Sequence, residues 1–217
     1  MGAAVAIREA AAPMPDGDLA DLRFRALLTA EAWAGLPHAV RRRFSKRLTG
    51  GATATYCGAV TAVQVNAAGR LLAHAARLIG GPLPLVFAPG AGIVTVMEDH
   101  LGQGQVWTRL YARRRGFPQV IHSAKRFAGP TGLEEYVGAG VGMALTVAVE
   151  DQALVFRSAF YFITVLGLRL RLPRWAEPGR LTIVHRDLGD AAFAFTLALD
   201  HRWLGRLIGQ DAVFRDA

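Results

Sequence analysis

The sequence predicts an α+β domain: a short helical N-terminal third leading into a long antiparallel β-meander that curls into a barrel-like sheet, with the helices packed on it. Three observations predict it. From Ile93 onward, strand-like segments follow one another with turn signals and no helix between them, which argues against parallel βαβ units. Several of those segments are apolar on both faces, so neither face suits open water. With 217 residues, 52% hydrophobic and 19% charged, the chain can also build a large core. A meander this long tends to close, because closure removes its edges.

Residues 1–17 read as a flexible tail. Arg8 and Glu9 interrupt its apolar run and two prolines follow, a poor fit to a signal peptide. Residues 18–217 read as one domain, expected in the cytoplasm. Asp18 is placed to cap a helix carrying Leu19, Leu22, Ala26 and Leu27 on one face. A second helix should start at Pro37, with Val40 and Phe44 inward and the arginines outward. Thr53 to Val65 is rich in β-branched residues and reads as a strand. Its Cys57, the only cysteine, reads as a small core residue. Asn66 should then cap a helix with Leu71, Leu72, Ala75, Leu78 and Ile79 on one side, stopped by Gly80-Gly81-Pro82.

The remaining strands are expected at 93–99, 105–113, 118–127, 132–137, 141–150, 153–164, 179–188, 191–201 and 206–214. Asp151-Gln152 and Gly189-Asp190 suit tight hairpins, and His100 to Gly104 a longer one. Alternation sorts the faces. Within 153–164 it sets Leu154, Phe156, Ser158, Phe160 and Phe162 against Val155, Arg157, Ala159, Tyr161 and Ile163.

The net charge of +8 is almost wholly arginine, since Lys46 and Lys125 are the only lysines. Two clusters concentrate it, Arg41–Arg43 with Lys46-Arg47, and Arg113–Arg115. Nucleic acid is disfavoured as a partner, because neither interleaved aromatics nor a recognisable module accompanies the clusters. An anionic membrane surface remains a partner class. The histidines at 38, 74, 100, 122, 185 and 201 show no paired zinc spacing. The glycines at 138, 140 and 142 lack the lysine and strand-to-helix context of a phosphate loop. No metal and no cofactor is expected.

Polar residues within the apolar strands are the candidate site. Arg109, Tyr161 and His185 are the candidate catalytic groups: an anion clamp between aromatics, a phenol, and an imidazole sharing a face with Asp187. Trp107, Tyr111, Glu134, Tyr136, Arg157, Phe160 and Asp187 are the candidate ligand-binding groups.

Several short motifs carry a family resemblance. They are Arg43-Phe44-Ser45 followed by a Gly-rich turn and Tyr56-Cys57-Gly58, Gly80-Gly81-Pro82-Leu83-Pro84, and Val106-Trp107-Thr108-Arg109. Gly142-Met143-Ala144-Leu145, Leu170-Arg171-Leu172-Pro173 and Gly205-Arg206-Leu207-Ile208-Gly209 complete the set. The chain resembles the bacterial family of domain of unknown function 4166 from about residue 20 onward. The resemblance implies a shared fold and an association with small-molecule or lipid metabolism. Because that domain also occurs fused behind saccharopine-dehydrogenase-like reductases, it also implies a reductase as a partner. It brings no catalytic residues.

Three functions are compatible with this reading. The first is binding of a hydrophobic small molecule (lipid-, isoprenoid- or polyketide-like) in the barrel. A cofactor-independent isomerase or cyclase in the same cavity is the second. A module docking on a partner or an anionic membrane through the arginine clusters is the third.

Overall fold

The computed structural model describes residues 21–46 and 48–217. The 1–17 tail, the Asp18 cap and Arg47 lie outside them. Eleven strands form one antiparallel sheet. In chain order they are β1 (Thr53–Val65), β2 (Gly90–Asp99), β3 (Gly104–Tyr111), β4 (Gln119–Arg126), β5 (Leu133–Gly138), β6 (Val141–Glu150), β7 (Ala153–Val165), β8 (Leu168–Arg171), β9 (Arg180–Gly189), β10 (Ala192–His201) and β11 (Gly205–Asp216). Each pairs with the next in sequence, except that β9 pairs with β7, and β8 lies beside only the far end of β7. β11 returns to β1, closing a ten-stranded up-and-down barrel. The expected meander and its closure are both present.

Because successive barrel strands alternate in direction, every connection falls at one of two ends. The N-terminal helices close one end: α1 (Ala30–Ala34) and α2 (His38–Phe44). Thr29 caps α1 by accepting from the Ala32 N–H at 3.2 Å. At the other end stands α3 (Ala67–Ala75), capped as expected by Asn66, which accepts from the Gly69 N–H at 2.8 Å. No helix among the described residues is long and apolar enough to cross a membrane.

Four local expectations are corrected. The first helix is reduced, over the described residues, to a 3-10 turn at Arg25–Leu27, with Leu22 exposed and Phe24 fully buried. Phe24 sets its ring edge-on to Phe44, Phe127 and Phe156 at the barrel mouth, and that contact outweighs a weak leucine periodicity. On α2, Val40 and Phe44 point inward as expected, but Arg43 does too. On α3 and the 3-10 turn after it, Leu71 and Leu78 face solvent while Gly69, Ala73 and Ala76 are buried. Small residues face the barrel because the helix lies directly on β11. A β-carbon at Gly69 would stand 2.0 Å from the Leu207 carbonyl oxygen. Gly69→Ala is therefore expected to cost about 1–3 kcal/mol through overpacking, read by urea unfolding; an unchanged midpoint would mean α3 does not seat this closely. Finally, Cys57 is exposed, since the pleat turns its neighbour Tyr56 into the barrel.

Candidate functional site in the barrel lumen

An eight-stranded barrel is just wide enough for side chains to fill, so ten strands enclose surplus space. Toward the α2 end, aromatic rings use up much of it. Phe156, Phe193, Phe195 and Phe214 surround a space of only about 40 Å³, and His185 stands among them. Toward the α3 end lies a larger cavity of about 150 Å³. Its apolar wall includes Leu83, Val141, Met143, Leu181 and Leu197, and its polar wall Arg109, Ser123, Glu135, Tyr161 and Gln210. Arg109 and Tyr111 border both spaces.

The polar wall is a cross-strand network. β4 and β5 pair Lys125 directly with Glu135, and both point into the lumen. Lys125 Nζ lies 3.1 Å from Glu135 Oε1, and Arg109 Nη2 reaches the same oxygen at 3.6 Å. Arg109 Nη1 also donates to Ser123 Oγ at 3.2 Å. Across the lumen the Tyr111 hydroxyl donates to Gln210 Oε1 at 3.3 Å. Lys125 sits 4.8 Å from the centre of the Trp107 ring. Burial alone would raise the Glu135 carboxyl, but Lys125 and then Arg109 outweigh it and hold it below the usual carboxylate range. For Lys125, burial dominates and lowers its basicity against the pull of Glu135.

Two buried cations thus share one carboxylate. Nearer the α2 end Arg43 contributes a third cation, 4.0 Å from Asp187 and stacked over Phe193 at 4.1 Å. Among the described residues, these three cations have only Glu135 and Asp187 within ion-pair distance, a local excess of one positive charge, with Asp216 acting on Arg43 from farther away. His185 does not add to it: burial, then Arg43 and Lys125, push its pKa down to about 3, so the ring is neutral. Its Nδ1 and the Trp107 Nε1 have no hydrogen-bond partner among the described residues.

The family model for a domain of unknown function (DUF4166) matches residues 36–214, most of the chain. The chain belongs to the DUF4166 family. No curated protein and no solved structure matches it.

Of the sequence-predicted residues, the lumen collects Arg109, Tyr161, Trp107, Tyr111, His185 and Asp187. Arg109 and Tyr161 border the larger cavity, whereas His185 lies in the smaller space. Burial pushes the Tyr161 phenol up to about 12. Four others point outside. Arg157 pairs with Glu150 on the outer surface. Glu134 is fully buried, but beneath β8, where Arg169 pairs with it and the Tyr136 hydroxyl donates to it at 2.9 Å. Phe160 lies under Arg171, also on β8.

The displacement of Phe160 has a definite cause. Ala144 pairs with Phe160 but Leu145 with Ser158, so Ala159 is an extra residue, a β-bulge. Alternation reverses there. Phe156, Ser158 and Tyr161 share the lumen, while Phe160 and Phe162 turn outward.

Sequence reasoning missed Ser123, Lys125, Glu135 and Gln210. One signal was available: Gln119, Ile121, Ser123 and Lys125 alternate on one face of β4, so a buried Ile121 carries the polar trio inside with it.

Proposed function

We propose that this DUF4166 chain binds a hydrophobic small molecule in its lumen, and that the molecule carries one anionic head. The observation that carries the reading is the sharing of one carboxylate, Glu135, by Arg109 and Lys125 on the wall of an otherwise apolar cavity. A buried cation in excess of its counterions favours an anion from outside, and the apolar wall favours a greasy body behind it. Cavities of about this volume hold a benzene-sized guest. The lipid-, isoprenoid- and polyketide-like ligands are larger, so they enter only if the 82–87 segment at the α3 end opens.

Calorimetric titration of benzoate, phenylacetate and octanoate against benzamide and octanol tests this. Each acid is expected to bind about tenfold or more tightly than its uncharged counterpart. Arg109→Met, which leaves Lys125 and Glu135 as a matched pair, should remove that preference. Equal affinity for acid and amide, or no binding by any of the five, would rule the reading out.

A cofactor-independent isomerase or cyclase in the same cavity is the second reading. It is favoured by Arg109 and Tyr161 facing one space, where a guanidinium cation and a phenol proton could meet the same substrate.

A further inference from the structure

The two ends of the barrel differ in chemistry. Among the described residues, sixteen large apolar side chains are exposed; nine of them lie in the connections at the α3 end, with Val120 and Val165 on the strand ends beside them. They come from separate connections. Leu71 and Leu78 lie on α3 and the turn after it, and Phe117 between β3 and β4. Leu166 tips the β7–β8 hairpin, and Trp203 tips the β10–β11 hairpin. Phe117 is 91% exposed, Leu78 90% and Leu166 97%. Leu166 also holds a left-handed backbone conformation, φ 50°, where such a turn prefers asparagine or glycine. A leucine there meets neither the needs of the turn nor those of the core.

Charge follows the same division. The connections at the α3 end, 66–89, 112–118, 139–140, 166–179 and 202–204, hold nine arginines against one acid, Glu177, and of the nine Arg169 is already paired with Glu134 of β5. The segments at the opposite end, 21–52, 100–103, 127–132, 151–152 and 190–191, are more nearly balanced, with seven cations against four acids, Asp21, Glu31, Asp151 and Asp190. Three of the cations there face acids: Arg43 faces Asp187, while Arg42 and Lys46 face Asp216. The described residues of the two arginine clusters therefore lie at opposite ends of the barrel and cannot serve one surface.

We propose that the α3 end docks on an anionic lipid bilayer, with the leucine, phenylalanine and tryptophan tips entering the interface and the surrounding arginines meeting the phosphate headgroups. Apolar tips inside a basic rim complement a surface that is negative at its headgroups and greasy beneath them. The leucine tips, Leu71, Leu78 and Leu166, favour a bilayer over nucleic acid, since leucine offers no ring for a base to stack on. Docking does not depend on the anion-binding reading of the lumen, although the larger cavity lies toward this same end.

Vesicle co-flotation of the whole chain tests the proposal, using phosphatidylcholine alone and phosphatidylcholine with one-third phosphatidylglycerol. The chain is expected to float with the anionic vesicles and not with the neutral ones, and to be released by 0.5 M NaCl. Replacing Arg113, Arg114 and Arg115 by serine, or Leu166 and Trp203 by aspartate, should weaken binding about tenfold or more. Leu101→Asp, at the opposite end and 96% exposed, should leave it unchanged. Met143→Trp, which fills the cavity, should abolish carboxylate binding yet keep flotation, so the two readings fail separately. Absence from anionic vesicles at low salt, or binding indifferent to salt and to the tip variants, overturns the proposal. So does a self-association in light scattering that the tip variants abolish while vesicles have no effect, since the face would then join copies of this chain.

Discussion

Acidification from pH 6.5 towards pH 3 is expected to remove roughly 4 kcal/mol of stability through His185 alone. The sign follows from where the proton goes. In the folded chain the ring stays neutral down to about pH 3, held there by burial and by Arg43 and Lys125. In the unfolded chain it takes up a proton near its ordinary value of 6.5. Between those values the unfolded state binds more protons, so stability falls as pH falls, and the slope ends once the folded ring is also protonated. About half of the loss, near 2 kcal/mol, should come between pH 6.5 and 5, above the range in which ordinary carboxylates titrate. His185→Phe isolates it. The ring edge already meets Phe44 at 5.0 Å and Phe193 at 4.3 Å, so phenylalanine suits the site. Urea midpoints of the variant should be nearly flat across pH 6.5 to 5. If the variant keeps the slope of the parent, the imidazole is not buried neutral.

Truncating Glu135 is expected to cost about 3–5 kcal/mol, because Glu135→Ala strands Arg109 and Lys125 in the lumen without their counterion. The penalty comes from the unpaired charges rather than from any large net value of the bridge. Replacing all three together, Arg109→Met, Lys125→Met and Glu135→Leu, should therefore recover most of the lost stability while abolishing any preference for acids over amides. Chemical denaturation of the single and triple variants decides it. A triple variant no more stable than Glu135→Ala would show that the charges are not the source of the cost. The Glu135 carboxyl sits below its ordinary 4.5. Its contribution is present above that pH and is lost as pH falls through the lowered folded value, below the His185 window.

The candidate site was half legible in the chain. Arg109, Trp107 and Tyr111 stand two residues apart on one strand, so a single choice of face placed all three together. Glu134 and Glu135 defeated the same logic. They are adjacent and both buried, one under β8 and one in the lumen, and alternation assigns them to opposite faces without saying which face is inside. β4 and β5 read equally well either way until the barrel closes and makes one face concave.

Tyr161 shows a second limit. Counting by twos from Phe156 selects Phe160 and Phe162, and only the bulge at Ala159 reverses the choice. A bulge arises from the fit between two strands, so neither strand alone announces it. Phe24 is a third case, since its three ring partners come from α2, the β4–β5 connection and β7.

By itself the sequence determined nine of the ten strands from β2 onward, missing only the short β8, together with the turns, the Asn66 cap and the closure of a long two-sided apolar meander. Those are matters of local propensity and of pairing between neighbours, which the order of residues contains. The tertiary structure alone decided which face became the lumen, which glutamate met the two cations, and that the two basic clusters stand at opposite ends. Each of these depends on the curvature of the whole sheet, and curvature is a property of ten strands closing together.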